Sequence, residues 1–169
     1  MGENLVSNYG WQHSEGPHSC GYIIPEITQV LADLQSRRVV DVGCGNGALV
    51  RAIEGRVDHV VGVELDRGGC EIARKESPHL SFYNMGVQDD PAPIAAAEGS
   101  FDTVVSSEVI EHLFSPHLLP QFSRQLLDTN GYLVLTTPYH GYFKNLALSV
   151  FDKWDAHHTA LWHGGHIKF

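Results

Sequence analysis

The sequence predicts an α/β fold, a doubly wound and mostly parallel sheet with helices on both faces. Three observations carry this. Short Val-rich runs, apolar at consecutive positions, recur along the chain. Segments with helical spacing of apolar residues alternate with them five times. The first run passes directly into a glycine loop, Gly43-Cys44-Gly45-Asn46-Gly47, that opens a helix. Strands apolar on both faces belong to parallel sheets covered by helices. Ligands of such sheets sit at the carboxyl ends of the strands, near the point where strand order reverses.

Residues 1–22 contain Gly, His and Ser with little periodicity and read as an N-terminal arm or lid. Pro25 suits the first turn of a helix over 25–34, with Ile27, Val30, Leu31 and Leu34 on one face. Residues 37–42 are a β-branched strand closed by glycines. A helix restarts over 48–53, and 59–64 form a second buried strand ending in Glu64. Residues 69–75 read as helix, stopping before Pro78, and 80–85 as a third strand. A Pro/Ala/Gly-rich link over 86–100 holds a short helix at 94–97. Residues 101–106 are a fourth strand. A helical stretch over 107–114 is broken by Pro116, and 118–127 form another helix. Residues 128–131 make a turn, and 132–137 a fifth strand ended by Pro138. Residues 138–169 complete a single domain as its acceptor-side segment.

The chain has 169 residues, one domain with room for a real core. Its formal net charge is −9 and no Lys/Arg cluster stands out, so a nucleic-acid partner is not expected. No apolar run reaches the ~18 residues that span a bilayer, and the first 18 residues lack an apolar signal core. Cys20, Cys44 and Cys70 are odd in number, with no CxxC pair. That pattern fits a reducing cytoplasm rather than a disulfide framework.

The glycine spacing is G-x-G-x-G, not the G-x-G-x-x-G of nicotinamide enzymes. Glu64, one strand later, is an acceptor-only group suited to a pair of ribose hydroxyls. A tight strand-to-helix turn with a surface Glu is the plainer alternative. At this point the chain resembles the class I S-adenosylmethionine-dependent methyltransferases of the Rossmann-like fold. The resemblance lies in Val39-Val40-Asp41-Val42-Gly43-Cys44-Gly45-Asn46-Gly47, Val61-Gly62-Val63-Glu64-Leu65-Asp66, Gly99-Ser100-Phe101-Asp102-Thr103-Val104-Val105 and Glu108-Val109-Ile110-Glu111-His112-Leu113. It covers about residues 37–140. It implies that Asp41, Gly43 and Gly45 hold the methionine end of S-adenosylmethionine, that Glu64 holds the ribose, and that Ser107 lines the methionine end. Cys44 and Leu65 complete that cofactor set. The loop after the third strand would cover the adenine. Many members place an Asp where this chain has Gly86, so the contact falls to Asp89 or to backbone at Val87.

Glu108, Glu111 and His112 stand at i, i+3 and i+4 and would share one helix face toward the crevice. Two readings are chemical. The three could hold a divalent cation such as Mg, which would lower the pKa of a bound hydroxyl. Without metal, His112 could act as general base, since imidazoles titrate near neutral pH. A third reading is structural, with the pair bracing the helix. The same run resembles the ubiquinone-pathway O-methyltransferases and the small-RNA 2′-O-methyltransferases. In both groups the resemblance implies a metal, with His166 a further ligand on the RNA-enzyme pattern.

Tyr139, Tyr142, Phe143, Phe151 and Trp154 follow the fifth strand and could wall a planar or apolar acceptor. Packing on a neighbouring helix is the alternative. Class members add two more strands after this point, so the fold is expected to lack them and residues 138–169 to be truncated. The exposed edge would then be covered by the C-terminal segment or by a second copy in a homodimer. The reading is therefore methyl transfer to a small-molecule acceptor, by O-methylation of a phenolic or quinone-pathway compound. A nicotinamide oxidoreductase and a non-catalytic S-adenosylmethionine-binding domain are the rivals.

Overall fold

The structure is a computed structural model that describes residues 10, 11, 13, 15, 16, 18–139 and 141–154. Helix α1 (Cys20–Asp33) leads into β1 (Arg38–Val42), α2 (Ala48–Ile53), β2 (His59–Glu64) and α3 (Arg67–Glu76). Then come β3 (Ser81–Asn84), α4 (Ala92–Glu98), β4 (Phe101–Ser107), a 3₁₀ turn (Ile110–His112), α5 (Leu118–Leu126), β5 (Leu127–Thr136) and α6 (Tyr142–Val150). Among the described residues the sheet has five strands in the order β3-β2-β1-β4-β5, all neighbours parallel. Strand order reverses between β1 and β4, which opens a crevice at their carboxyl ends.

Side chains alternate across the sheet, as the two-residue period of a strand requires. Val39, Val60 and Val105 face Ile27 and Leu31 of α1, Val50 and Ile53 of α2, and Ala73 of α3. Val40, Val61, Val63 and Val104 face Ile94 of α4 and Leu119, Phe122 and Leu126 of α5. Both clusters are almost fully buried, so the doubly covered sheet agrees with the sequence. Asp41 and Glu64 follow the parity of Val39 and Val60, which puts both carboxyls on the α1–α3 side. Phe122 is 1 % exposed in the second cluster. Phe122→Ala is expected to destabilise the domain by about 3–5 kcal/mol in a denaturant titration.

Three elements depart from expectation. Helix α1 begins at Cys20, so Pro25 lies inside it and removes the hydrogen bond to the Gly21 carbonyl. Gly21 is exposed, so that lost partner falls at the surface. The helix expected over 107–114 is replaced by the short 3₁₀ turn, because Glu108 adopts φ +55°. The turn expected at 128–131 is absorbed into β5. Its pairing steps from Phe101↔Leu127 to Thr103↔Tyr132, leaving three more residues on β5 than on β4. No described helix is long and apolar enough to cross a membrane.

Candidate active site

A cleft of about 720 Å³ lies over the carboxyl ends of β1, β2 and β4. That volume is ordinary for a small-molecule or cofactor site. Its floor is the glycine loop. The amides of Gly43 and Cys44 both donate to the Val63 carbonyl, at 2.7 and 3.0 Å, which folds the loop back onto β2. Gly43 has φ +84°, and a Cβ there would stand 2.3 Å from Cγ2 of Val109. The residue is glycine for both reasons.

Glu64 ties two loops together. Its Oε2 accepts from the Gly45 amide at 2.7 Å and its Oε1 from the Asp66 amide at 2.6 Å. It is 6 % exposed. Burial raises its pKa, and the two amides oppose the rise. Each oxygen keeps a further lone pair. Asp66 in turn caps α3, accepting from the Gly69 amide at 2.8 Å.

Asp41 is 2 % exposed, and among the described residues its side chain makes no hydrogen bond. Burial, with the Glu64 charge adding, pushes its pKa up to about 8. No described Lys or Arg forms an ion pair with Asp41 or Glu64. Among the described residues, two buried acids therefore face one cleft with no Lys or Arg paired to them.

At the β4 end, Thr136 organises the polar groups. Its hydroxyl donates to Glu108 Oε1 at 3.0 Å and accepts from the Glu108 amide at 3.1 Å. Ser107 Oγ lies 2.9 Å from the same hydroxyl and must donate to it, because the threonine hydrogen is already used. Glu111 is 3 % exposed. Its Oε2 accepts from Thr137 Oγ1 at 3.3 Å, while its buried Oε1 has no hydrogen-bond partner among the described residues. His112 Nε2 lies 3.9 Å from that oxygen. Burial, with the Glu108 charge adding and Thr137 opposing, brings the Glu111 pKa to about 7.

Asp41, Gly43, Cys44, Gly45, Glu64, Leu65, Val87, Ser107, Glu108, Glu111 and His112 thus share one cleft. Asp89 is the exception. Its carboxylate accepts from the Gly86 amide at 2.7 Å and its own amide donates to the Gly86 carbonyl, so it closes its own turn. Val87 and Gln88 line the cleft from that turn instead. Nor do the acidic residues fit a divalent cation. Glu108 and Glu111 are each turned to a threonine hydroxyl on the β5 side. Among the described residues no group of three His, Cys, Asp or Glu side chains converges as a metal shell. His166, His140 and the histidines of 157–163 lie outside the described residues.

The sequence reading missed Asn46, Gln88 and the cleft-lining of arm residues such as Trp11. Asn46 carried the one available signal, an amide inside a glycine loop with two hydrogens to place. The aromatic residues of α6 and just after it do not line the cleft; Tyr142, Phe143 and Phe151 are exposed.

A family model described as a methyltransferase domain matches residues 17–169. A ubiquinone biosynthesis O-methyltransferase of Paracidovorax citrulli is 30 % identical over 139 residues, covering 79 % of this chain and 55 % of that protein. The chain thus spans about half the length of the curated relatives it matches. Among solved structures, the S-adenosylmethionine-bound amino pentose methyltransferase CalS10 of Micromonospora echinaspora has a TM-score of 0.59 at 21 % identity, over 75 % of this chain and 60 % of that one. The YcgJ protein of Bacillus subtilis has a TM-score of 0.62 at 17 % identity, over 79 % and 58 %. These structures share the fold. The chain belongs to the methyltransferase domain family, on the Rossmann-like fold of the S-adenosylmethionine-dependent methyltransferases.

Proposed function

We propose that the cleft binds S-adenosylmethionine and that the domain transfers its methyl group to a hydroxyl oxygen of a small phenolic or quinone-pathway acceptor. The observation that carries the donor is the pair of buried acids, Asp41 and Glu64, with no Lys or Arg paired to them among the described residues. A sulfonium compound with an ammonium group and a ribose diol complements that wall. A dinucleotide would bring a pyrophosphate against Glu64, where like charge repels, and has no ammonium to draw the proton off Asp41. The O-methyltransferase named among the relatives supports an oxygen acceptor.

Asp41 would take the ammonium and Glu64 the diol. Leu65 and Val87 would flank the base. Ile23, Ile24 and Leu113 give the opposite wall an apolar surface suited to a ring. S-adenosylmethionine supplies a methyl on sulfur that leaves as a neutral thioether, keeping the S–C electron pair as the acceptor oxygen bonds the carbon. His112 would receive the hydroxyl proton. Glu111, 3.9 Å away, would stabilise the imidazolium that results. The remainder of the acceleration comes from holding donor and acceptor in line.

His112→Ala is expected to lower kcat by about 10²–10⁴-fold, with S-adenosylhomocysteine affinity unchanged. Methyl transfer to a panel of catechols and hydroxyquinols, read by mass spectrometry, tests the acceptor. Binding of S-adenosylhomocysteine without turnover of any hydroxylated acceptor would refute the oxygen assignment.

A further inference from the structure

The cleft has a wall that the donor site does not require. Asn46 is 1 % exposed and sits inside the glycine loop. Its side-chain amide donates one hydrogen to the His13 carbonyl at 2.8 Å and the other to the Glu15 carbonyl at 2.9 Å. Its Oδ1 accepts from the Ala48 amide at 3.3 Å. Both donors of a buried amide are thus spent on main-chain carbonyls of a segment about 30 residues away.

Trp11 comes from the same segment. A Cβ on Gly45 would stand 2.4 Å from its Cζ2, and a Cβ on Gly69 would stand 2.8 Å from its Cδ1. The indole therefore sits against the seam between the glycine loop and the first turn of α3. Gly69 does not have positive φ, so its lack of a side chain serves the close approach of Trp11 and of the Gly45 carbonyl rather than backbone conformation. The Gly45 amide under the indole is the one held by Glu64. Trp11 also lines the cleft.

We propose that Asn46 and Trp11 are positioning residues for the methyl donor: Asn46 clasps the N-terminal arm to the glycine loop, and Trp11 thereby covers the ribose side of the cleft. The inference rests on the donor reading above. Its physical content is that the donor leaves only when the clasp opens. An indole there excludes water from the Glu64 corner and strengthens the charge-assisted hydrogen bonds made there.

The test uses the full chain with S-adenosylhomocysteine as probe, followed by stopped-flow tryptophan fluorescence. Ligand binding should change the emission, and Trp11→Phe should abolish most of that change while keeping a slow off-rate. Trp11→Ala and Asn46→Ala should each raise the off-rate at least tenfold. Asn46→Ala should also speed chymotrypsin cleavage after Trp11 in the ligand-free protein. Trp11→Ala alters only the arm, so it keeps the proposal testable if Asn46→Ala fails to fold. Off-rates within twofold of wild type in Trp11→Ala would overturn the clasp and leave the donor reading standing. A wild type that does not bind S-adenosylhomocysteine would overturn both.

Discussion

Asp41→Asn is expected to weaken S-adenosylhomocysteine binding by about 2–3 kcal/mol at pH 8.5, roughly 30- to 150-fold. It is also expected to stabilise the ligand-free protein at that pH. The two effects have one cause. Burial and the Glu64 charge hold the Asp41 pKa at about 8, so the free protein keeps it largely protonated at neutral pH. An ammonium brought to it reverses that preference, and the proton leaves on binding. Wild-type affinity should therefore fall as pH drops below 8, by up to about tenfold per unit. Calorimetry at pH 7 in buffers of different ionisation enthalpy should show close to one proton released, and none for Asp41→Asn.

The stability effect has the sign of a raised acid. The folded value lies above the ~3.9 of an exposed aspartate. The contribution to stability is thus complete below about pH 4 and is lost as pH rises through 8. Asparagine matches the protonated form in shape and cannot ionise. Thermal melts of the ligand-free variant should show a shallower decline between pH 6 and 9 than the wild type. A site that stores a destabilising charge for its ligand gains stability when that charge is removed.

Glu64→Gln should behave differently. Its carboxylate accepts from two amides, those of Gly45 and Asp66. A glutamine offers one oxygen and one NH₂, so one of the two amides would face a donor. An unsatisfied buried amide costs about 1–3 kcal/mol. The variant should lose stability by that amount and lose ligand affinity by about 10²-fold, through the diol and through the displaced loop. Asp41→Asn and Glu64→Gln thus both weaken binding and move the melting temperature in opposite directions. Differential scanning fluorimetry of the two ligand-free variants reads the contrast. A rise in both would contradict the bracing role of Glu64.

The sheet was legible because its strands are local. His59-Val60-Val61-Gly62-Val63-Glu64 is β-branched and buried on both faces, and the structure starts and stops β2 at those same residues. Helix α2 and the fourth strand were readable for the same reason. The 107–114 segment was not. Its apolar and acidic spacing suits a helix, but the conformation of Glu108 accompanies hydrogen bonds exchanged with Thr136, 28 residues later. Spacing along one segment cannot register a partner on another strand. Asp89 was misplaced by a related effect, since a carboxylate three residues after a glycine can satisfy that glycine's amide before it reaches a ligand. The Asn46 clasp was invisible because both of its acceptors are backbone carbonyls, which carry no sequence signal.

Asp41 and Glu64, buried and with no described Lys or Arg paired to them, form the binding wall for a cationic methyl donor in the proposed function. Calorimetry of the wild-type chain with S-adenosylhomocysteine and, separately, with NADH tests this most directly. Saturable S-adenosylhomocysteine binding that tightens between pH 6 and pH 8 is expected, with no measurable NADH binding. NADH binding that displaces S-adenosylhomocysteine, or S-adenosylhomocysteine affinity that does not change over that pH range, would contradict it.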